Sequence, residues 1–150
     1  MGDVSKGVES GFVATLVISG LMLAQYTAGL APAFNLISLL QQAANTPDYP
    51  SMAWIAHFAI GTVLWGIGFA ALSPHLPGPH WMRGLIFGVL AWFAMMVLFL
   101  PAAGLPMFAA GSGITIPVVS LALHLVFGVV LGETYHVLLH YLPSEVDENA

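Results

Sequence analysis

Long apolar segments, separated by short polar stretches, dominate the chain. A helix needs about 20 mostly apolar residues to cross a bilayer, and four segments reach that length. They cover residues 11–30, 52–72, 82–100 and 114–137, and the last segment can extend to residue 141. Prolines and glycines lie between them, where helices end. The pattern predicts an all-α membrane protein, a four-transmembrane-helix bundle in a single domain over residues 1–150.

The composition supports lipid as the solvent. Apolar residues make up 59% of the chain and charged residues 6%, whereas soluble domains carry about 25% charged residues. Lys6 and Arg83 are the only basic residues, which excludes the basic surface that binds nucleic acid. The chain has no cysteine, so disulfides, thiolate metal sites and cysteine nucleophiles are excluded as well.

The charges near the helix ends predict an orientation. Asp3, Lys6 and Glu9 sum to −1 before the first apolar segment, whereas a signal peptide begins with positive charge. We therefore expect a retained first helix. Lys6 and Arg83 fall on one face of an up-down-up-down bundle, and basic residues favour the cytoplasmic side. The sequence predicts both termini in the cytoplasm, with residues 143–150 as an acidic, solvated tail.

The loop over residues 31–51 contains a second apolar feature. Residues 34–42 are too few to span a bilayer. Their apolar positions fit a short helix that lies in the membrane interface. An ordinary loop with one helical turn fits the same residues, so both interpretations stay open.

The two halves of the sequence are similar. Residues 57–64 and 124–131 share His, Gly, Val and Leu at the same spacing. Gly11 and Gly84 align at the starts of the first and third segments. The pattern predicts a duplicated helical hairpin, with halves at about residues 7–73 and 80–141. Each half has an even number of spans, so the copies form a parallel repeat.

Small residues spaced along these segments predict close helix packing. Helices in lipid associate through van der Waals contact, which glycine permits. We expect this packing to be within one molecule. The candidate pairs are Gly84 with Gly88, Gly128 with Gly132, and Gly61 with Gly68.

Two histidines inside the predicted spans are the first candidate site. His57 and His124 lie at matching repeat positions, followed four residues later by Gly61 and Gly128. Ionisable residues inside a bilayer usually face the bundle interior. The pair could hold a b-type haem through both axial positions, or take a metal or proton role. Each histidine could instead bond a hydroxyl across the bundle; the candidate partners are Ser19, Ser120, Thr15 and Thr62.

A second candidate site lies near the end of the fourth segment. Glu133, His136 and His140 fall at i, i+3 and i+7, on one helical stripe. Di-iron bundles use the E-x-x-H spacing on two helices, but Gly66 occupies the equivalent position in the second segment. The stripe therefore predicts either a metal site or a solvated polar face. Two further histidines from the inner loop could join it, His75 and His80.

Four glycine-containing motifs carry a family resemblance. They are GFVATLV from residue 11, HFAIGTVLWG from residue 57, RGLIFG from residue 83 and HLVFGVVLG from residue 124. Over residues 11–132 the chain resembles a family of small, uncharacterised bacterial inner-membrane proteins with four helices. The resemblance implies a bacterial inner membrane and the four-helix fold, and it implies no activity. Glu133, His136 and His140 lie outside the motifs.

The sequence has no phosphate-binding glycine loop, no Ser/His/Asp set and no paired intramembrane carboxylates. It therefore favours a non-enzymatic accessory or binding component that acts with partners in the bilayer, as a homo-oligomer or in a larger membrane complex. One alternative is an electron-transfer protein that binds b-type haem or a metal through His57 and His124. Another is a small transporter or channel formed by an oligomer.

Overall fold

The computed structural model describes residues 3–29, 35–111 and 113–141. Within these ranges the chain is helical and contains no strand. The predicted acidic tail at residues 143–150 lies outside them. The helices are α1 (Val4–Thr27), α2 (Leu36–Ala43), α3 (Pro50–His75), α4 (His80–Ala102) and α5 (Thr115–Tyr141), with a 3₁₀ turn at Met107–Ala109.

Helices α1, α3, α4 and α5 are each long and apolar enough to cross a membrane, which confirms the four predicted spans. Their bounds differ from the apolar runs. Helix α1 begins at Val4 rather than at residue 11, because Asp3 caps it: a side-chain oxygen of Asp3 accepts a hydrogen bond from the Lys6 amide at 3.1 Å. The first turn of α1 is helical although it lies before the apolar run.

The four spanning helices alternate in direction. Helix α1 packs against α3 and α5, and α4 packs against α5. Residues 76–79 join α3 to α4 at the end of the bundle where α1 begins, which we call the N-terminal end. The connections that carry α2 and the 3₁₀ turn lie at the opposite end, called the long-loop end.

Backbone contacts at glycine hold α4 against α5. A Cβ atom added at Gly84 would strike the carbonyl group of Gly128, and one at Gly88 would strike the carbonyl oxygen of His124. Gly132 similarly faces the carbonyl oxygen of His80. The predicted packing role of these glycines within one molecule is confirmed.

Glycines also hold α1 against α3, but the α3 glycine that accompanies Gly61 at this interface is Gly66 and not the predicted Gly68. Gly7 lies against Gly66, and Gly11 lies against the carbonyl of Gly61. A Cβ at Gly68 would make only ordinary contact with the Phe87 ring, at 3.4 Å, so the prediction for Gly68 was wrong. A π-helical segment at Ala59–Leu64 shifts the register of α3, and the shift brings Gly66 to the interface.

Aromatic side chains fill the N-terminal half of the bundle. The Phe69 ring packs edge-on against Phe87 and Tyr135, with 5.4 Å between ring centroids in each pair. Leu131 is fully buried in the same cluster. The other half is less completely filled, and the candidate site lies there.

Candidate functional site

A cavity of about 130 Å³ lies within the long-loop half of the bundle. All four spanning helices line it, and α2 covers it with apolar side chains. The α2 residues are Leu36, Leu39, Leu40 and Ala43. The polar lining residues are Thr15, His57, Ser120 and His124.

The His57 ring is fixed on several sides. The side chain is 8% exposed, and its Nε2 atom lies 3.1 Å from the Ser19 hydroxyl oxygen on α1. The Ser19 hydroxyl in turn donates to the carbonyl oxygen of Thr15 at 2.7 Å. Trp54 and Phe58 pack edge-on against the imidazole, at centroid distances of 5.7 and 5.6 Å. The histidine therefore links α3 to α1.

His124 is held from its own helix. Its Nδ1 atom lies 2.7 Å from the carbonyl oxygen of Ser120, one turn earlier in α5. The Ser120 hydroxyl donates to the Ile116 carbonyl oxygen at 2.7 Å and accepts from the indole nitrogen of Trp92 at 3.1 Å. Both histidines thus use serine residues named as candidate partners, although His124 bonds the main chain of Ser120 instead of its hydroxyl.

Two π-helical segments border the cavity. Ala59–Leu64 in α3 supplies Ile60 and Gly61, and Met95–Phe99 in α4 supplies Met95 and Phe99. Single π-turns inside α-helices occur often at functional sites. Neither segment was predicted from the sequence. For the first, a signal was present: Gly61 and Gly66 are five residues apart, whereas Gly128 and Gly132 are four apart.

A family match extends over nearly all of these elements. The model of a family of unknown function, DUF6789, matches residues 1–145. The chain belongs to this family. No curated protein and no solved structure shows significant similarity to the chain. Membership agrees with the resemblance seen in the glycine motifs and, like it, assigns no activity.

The structure brings most of the first candidate site together. His57, His124 and Gly61 line the same cavity, whereas Gly128 packs on Gly84 instead. The cavity is smaller than the pockets of roughly 300–1,000 Å³ that hold drug-sized ligands. Haem is at least as large as a drug-sized ligand. The volume argues against haem between these histidines. Cofactor binding by these histidines stays a prediction.

The second candidate site is a group of imidazoles at the N-terminal end. The His136 ring lies 4.9 Å from His80 and 4.2 Å from His140, centroid to centroid. Glu133 is exposed beside them. Among the described residues, no group of three or more histidines or carboxylates is arranged to hold a metal ion. The arrangement gives the predicted metal site no support, and the site stays a prediction.

Proposed function

We propose that the protein is a non-enzymatic membrane protein that binds a small, largely apolar ligand in the cavity between its four spans. The observation that carries the proposal is the cavity itself, which is lined by all four spanning helices and by α2. Its volume of about 130 Å³ is close to that of the roughly 150 Å³ apolar cavity known to bind benzene or xenon. A ligand of about that size, taken from the bilayer, suits this space.

The lining favours binding over catalysis. None of the residues around the cavity is Asp, Glu, Lys or Arg. General acid–base chemistry would depend on His57 and His124 alone, and the hydroxyls of Thr15 and Ser120 are already bonded to main-chain carbonyls. We therefore extend the proposal to an accessory role, in which the protein holds its ligand for partners in the membrane.

The proposal includes a location and an origin. We place the protein in a bacterial inner membrane with both termini in the cytoplasm; the position of Lys6 and Arg83 at the same end of the bundle supports this orientation.

We also propose that the two hairpins arose by duplication. In support, the contact of Gly11 with Gly61 parallels that of Gly84 with Gly128, at the positions that align in the sequence.

Fluorobenzene tests the proposed binding, because its ¹⁹F signal reports occupancy directly. We expect saturable binding to the purified protein in detergent. Leu123 lines the cavity, and Leu123→Trp should abolish saturable binding by filling the space. The matched control is Leu98→Trp, at a position that is 64% exposed on the lipid side, which should bind as the parent does.

Fluorobenzene also partitions into micelles, so the comparison between variants is the decisive measurement. A signal that is the same for the parent and for Leu123→Trp would reflect micelles alone and would contradict binding in the cavity. Loss of binding in Leu98→Trp as well would show that the tryptophan acts through general destabilisation, and the assignment to this cavity would fall.

A further inference from the structure

We propose that His124 accepts a hydrogen bond from the ligand, so that the cavity selects small apolar molecules that carry a hydroxyl group. This inference rests on the proposed function and names the ligand class. It follows from where the protons of the two imidazoles must lie, which their neighbours decide.

The proton of His124 lies on Nδ1. The partner of Nδ1 is the main-chain carbonyl oxygen of Ser120, at 2.7 Å, and a carbonyl oxygen can only accept. A neutral imidazole carries one proton, and a charged one is costly within a bilayer. The Nε2 atom of His124 is therefore an acceptor, and it has no hydrogen-bond partner among the described residues.

The same reasoning applies to His57. The Ser19 hydroxyl has one proton, which it donates to the Thr15 carbonyl oxygen at 2.7 Å. Ser19 must then accept from Nε2 of His57 across the 3.1 Å contact. The Nδ1 atom of His57 is left as a second acceptor. It is likewise without a partner in the part of the chain that the structure describes.

The hydroxyl groups of the wall do not compete for these acceptors. Thr15 donates to the Gly11 carbonyl oxygen and Ser120 donates to that of Ile116, both at 2.7 Å. Both protons are committed to the main chain. These hydroxyls therefore give the imidazoles no donor, and a ligand hydroxyl supplies one while its apolar body fills the remaining space.

Phenol and fluorobenzene form a matched pair for the test, since they have similar size and only phenol donates. A buried hydroxyl without a partner loses about 1–3 kcal/mol, or roughly fivefold to 150-fold in affinity. We expect phenol to bind the parent at least as tightly as fluorobenzene. In His124→Leu, phenol should weaken at least about fivefold, with fluorobenzene nearly unchanged. His124→Gln, which keeps an acceptor, should retain phenol binding.

A second measurement does not depend on the variants. Phenol added to the parent, labelled with ¹⁵N-histidine, should shift the Nε2 resonance of His124, and fluorobenzene should not. Unchanged phenol affinity in His124→Leu, or a loss confined to His57→Leu, would overturn the assignment while the proposed function stands. If neither probe binds saturably, the proposed function fails, and this inference fails with it.

Discussion

At the scale of single residues, the closest helix contacts depend on the absence of a side chain. Gly128 faces the backbone of Gly84 without space for a methyl group. Because the hydrophobic effect does not drive helices together in lipid, such contacts supply much of the attraction between them. A glycine that faces open space has the opposite effect, since it only loosens its helix.

Gly128→Ala should therefore destabilise the protein by about 1–3 kcal/mol, because the new methyl group must push α5 away from α4. Gly20 is the matched control: a Cβ there would meet nothing within 4 Å. Gly20→Ala should raise stability by about 0.5–1 kcal/mol, through helix propensity. Thermal unfolding in detergent compares the two. Equal melting of Gly128→Ala and the parent would show that α4 and α5 separate at no cost.

The sequence predicted several of these contacts but not all of them. Gly84, Gly88, Gly128 and Gly132 have four-residue spacings that survive unchanged in regular helices, so their shared face could be predicted. Gly61 and Gly68 share a face only if the helix between them is regular. The helix is not regular there, because Ala59–Leu64 is π-helical, so Gly61 and Gly68 do not share a face.

At the scale of elements, this π-helical segment accommodates one extra residue in α3. A π-turn inserts a residue while the helix on each side keeps its face. Gly61 and Gly66 therefore both reach α1 although they are five residues apart, whereas Gly128 and Gly132 reach α4 with a spacing of four. The extra residue changes the wall of the cavity and leaves the helix interface in place.

Deletion of Val63, which is 49% exposed, should consequently be tolerated. It leaves Gly61 and Gly66 four residues apart in a regular α-helix, with the α1 interface intact. Deletion of Val126, which is 39% exposed, should unfold the bundle. It turns Gly128 and Gly132 by about 100° relative to the first half of α5. Yield of folded protein and melting temperature provide the measurement, and equal damage from both deletions would refute the inserted-residue account.

The elements themselves were largely predictable, and the cavity was not. Apolar runs predicted the four spans. For residues 34–42 the sequence left open a short helix or a loop with one helical turn, and the structure has a helix of eight residues there, α2. The cavity depends on how five helices leave space between them, which no local pattern records. The similar sequence around His57 and His124 predicted that both would face the bundle interior, and both line the same cavity.

At the scale of the whole molecule, both basic residues lie at the N-terminal end. Lys6 is 3.7 Å from the Asp3 carboxylate, and the side chain of Arg83 donates to the Gly78 carbonyl oxygen at 2.7 Å. The long-loop end carries an acidic residue, Asp48, and no lysine or arginine. The proposed orientation thus depends on two positive charges at one end.

Reporter fusions test that orientation. A fluorescent protein that folds only in the cytoplasm should be active when fused after Ala150, and a phosphatase that folds only outside should be active when inserted at Asp48. The reverse pattern would overturn the orientation, and activity of the same reporter at both sites would overturn the even number of spans.

Since basic residues set orientation, Lys6→Gln and Arg83→Gln combined with Asp48→Lys should invert a large share of the molecules. Lys6→Gln alone should leave the orientation unchanged, because Arg83 still places a positive charge at the proposed cytoplasmic end.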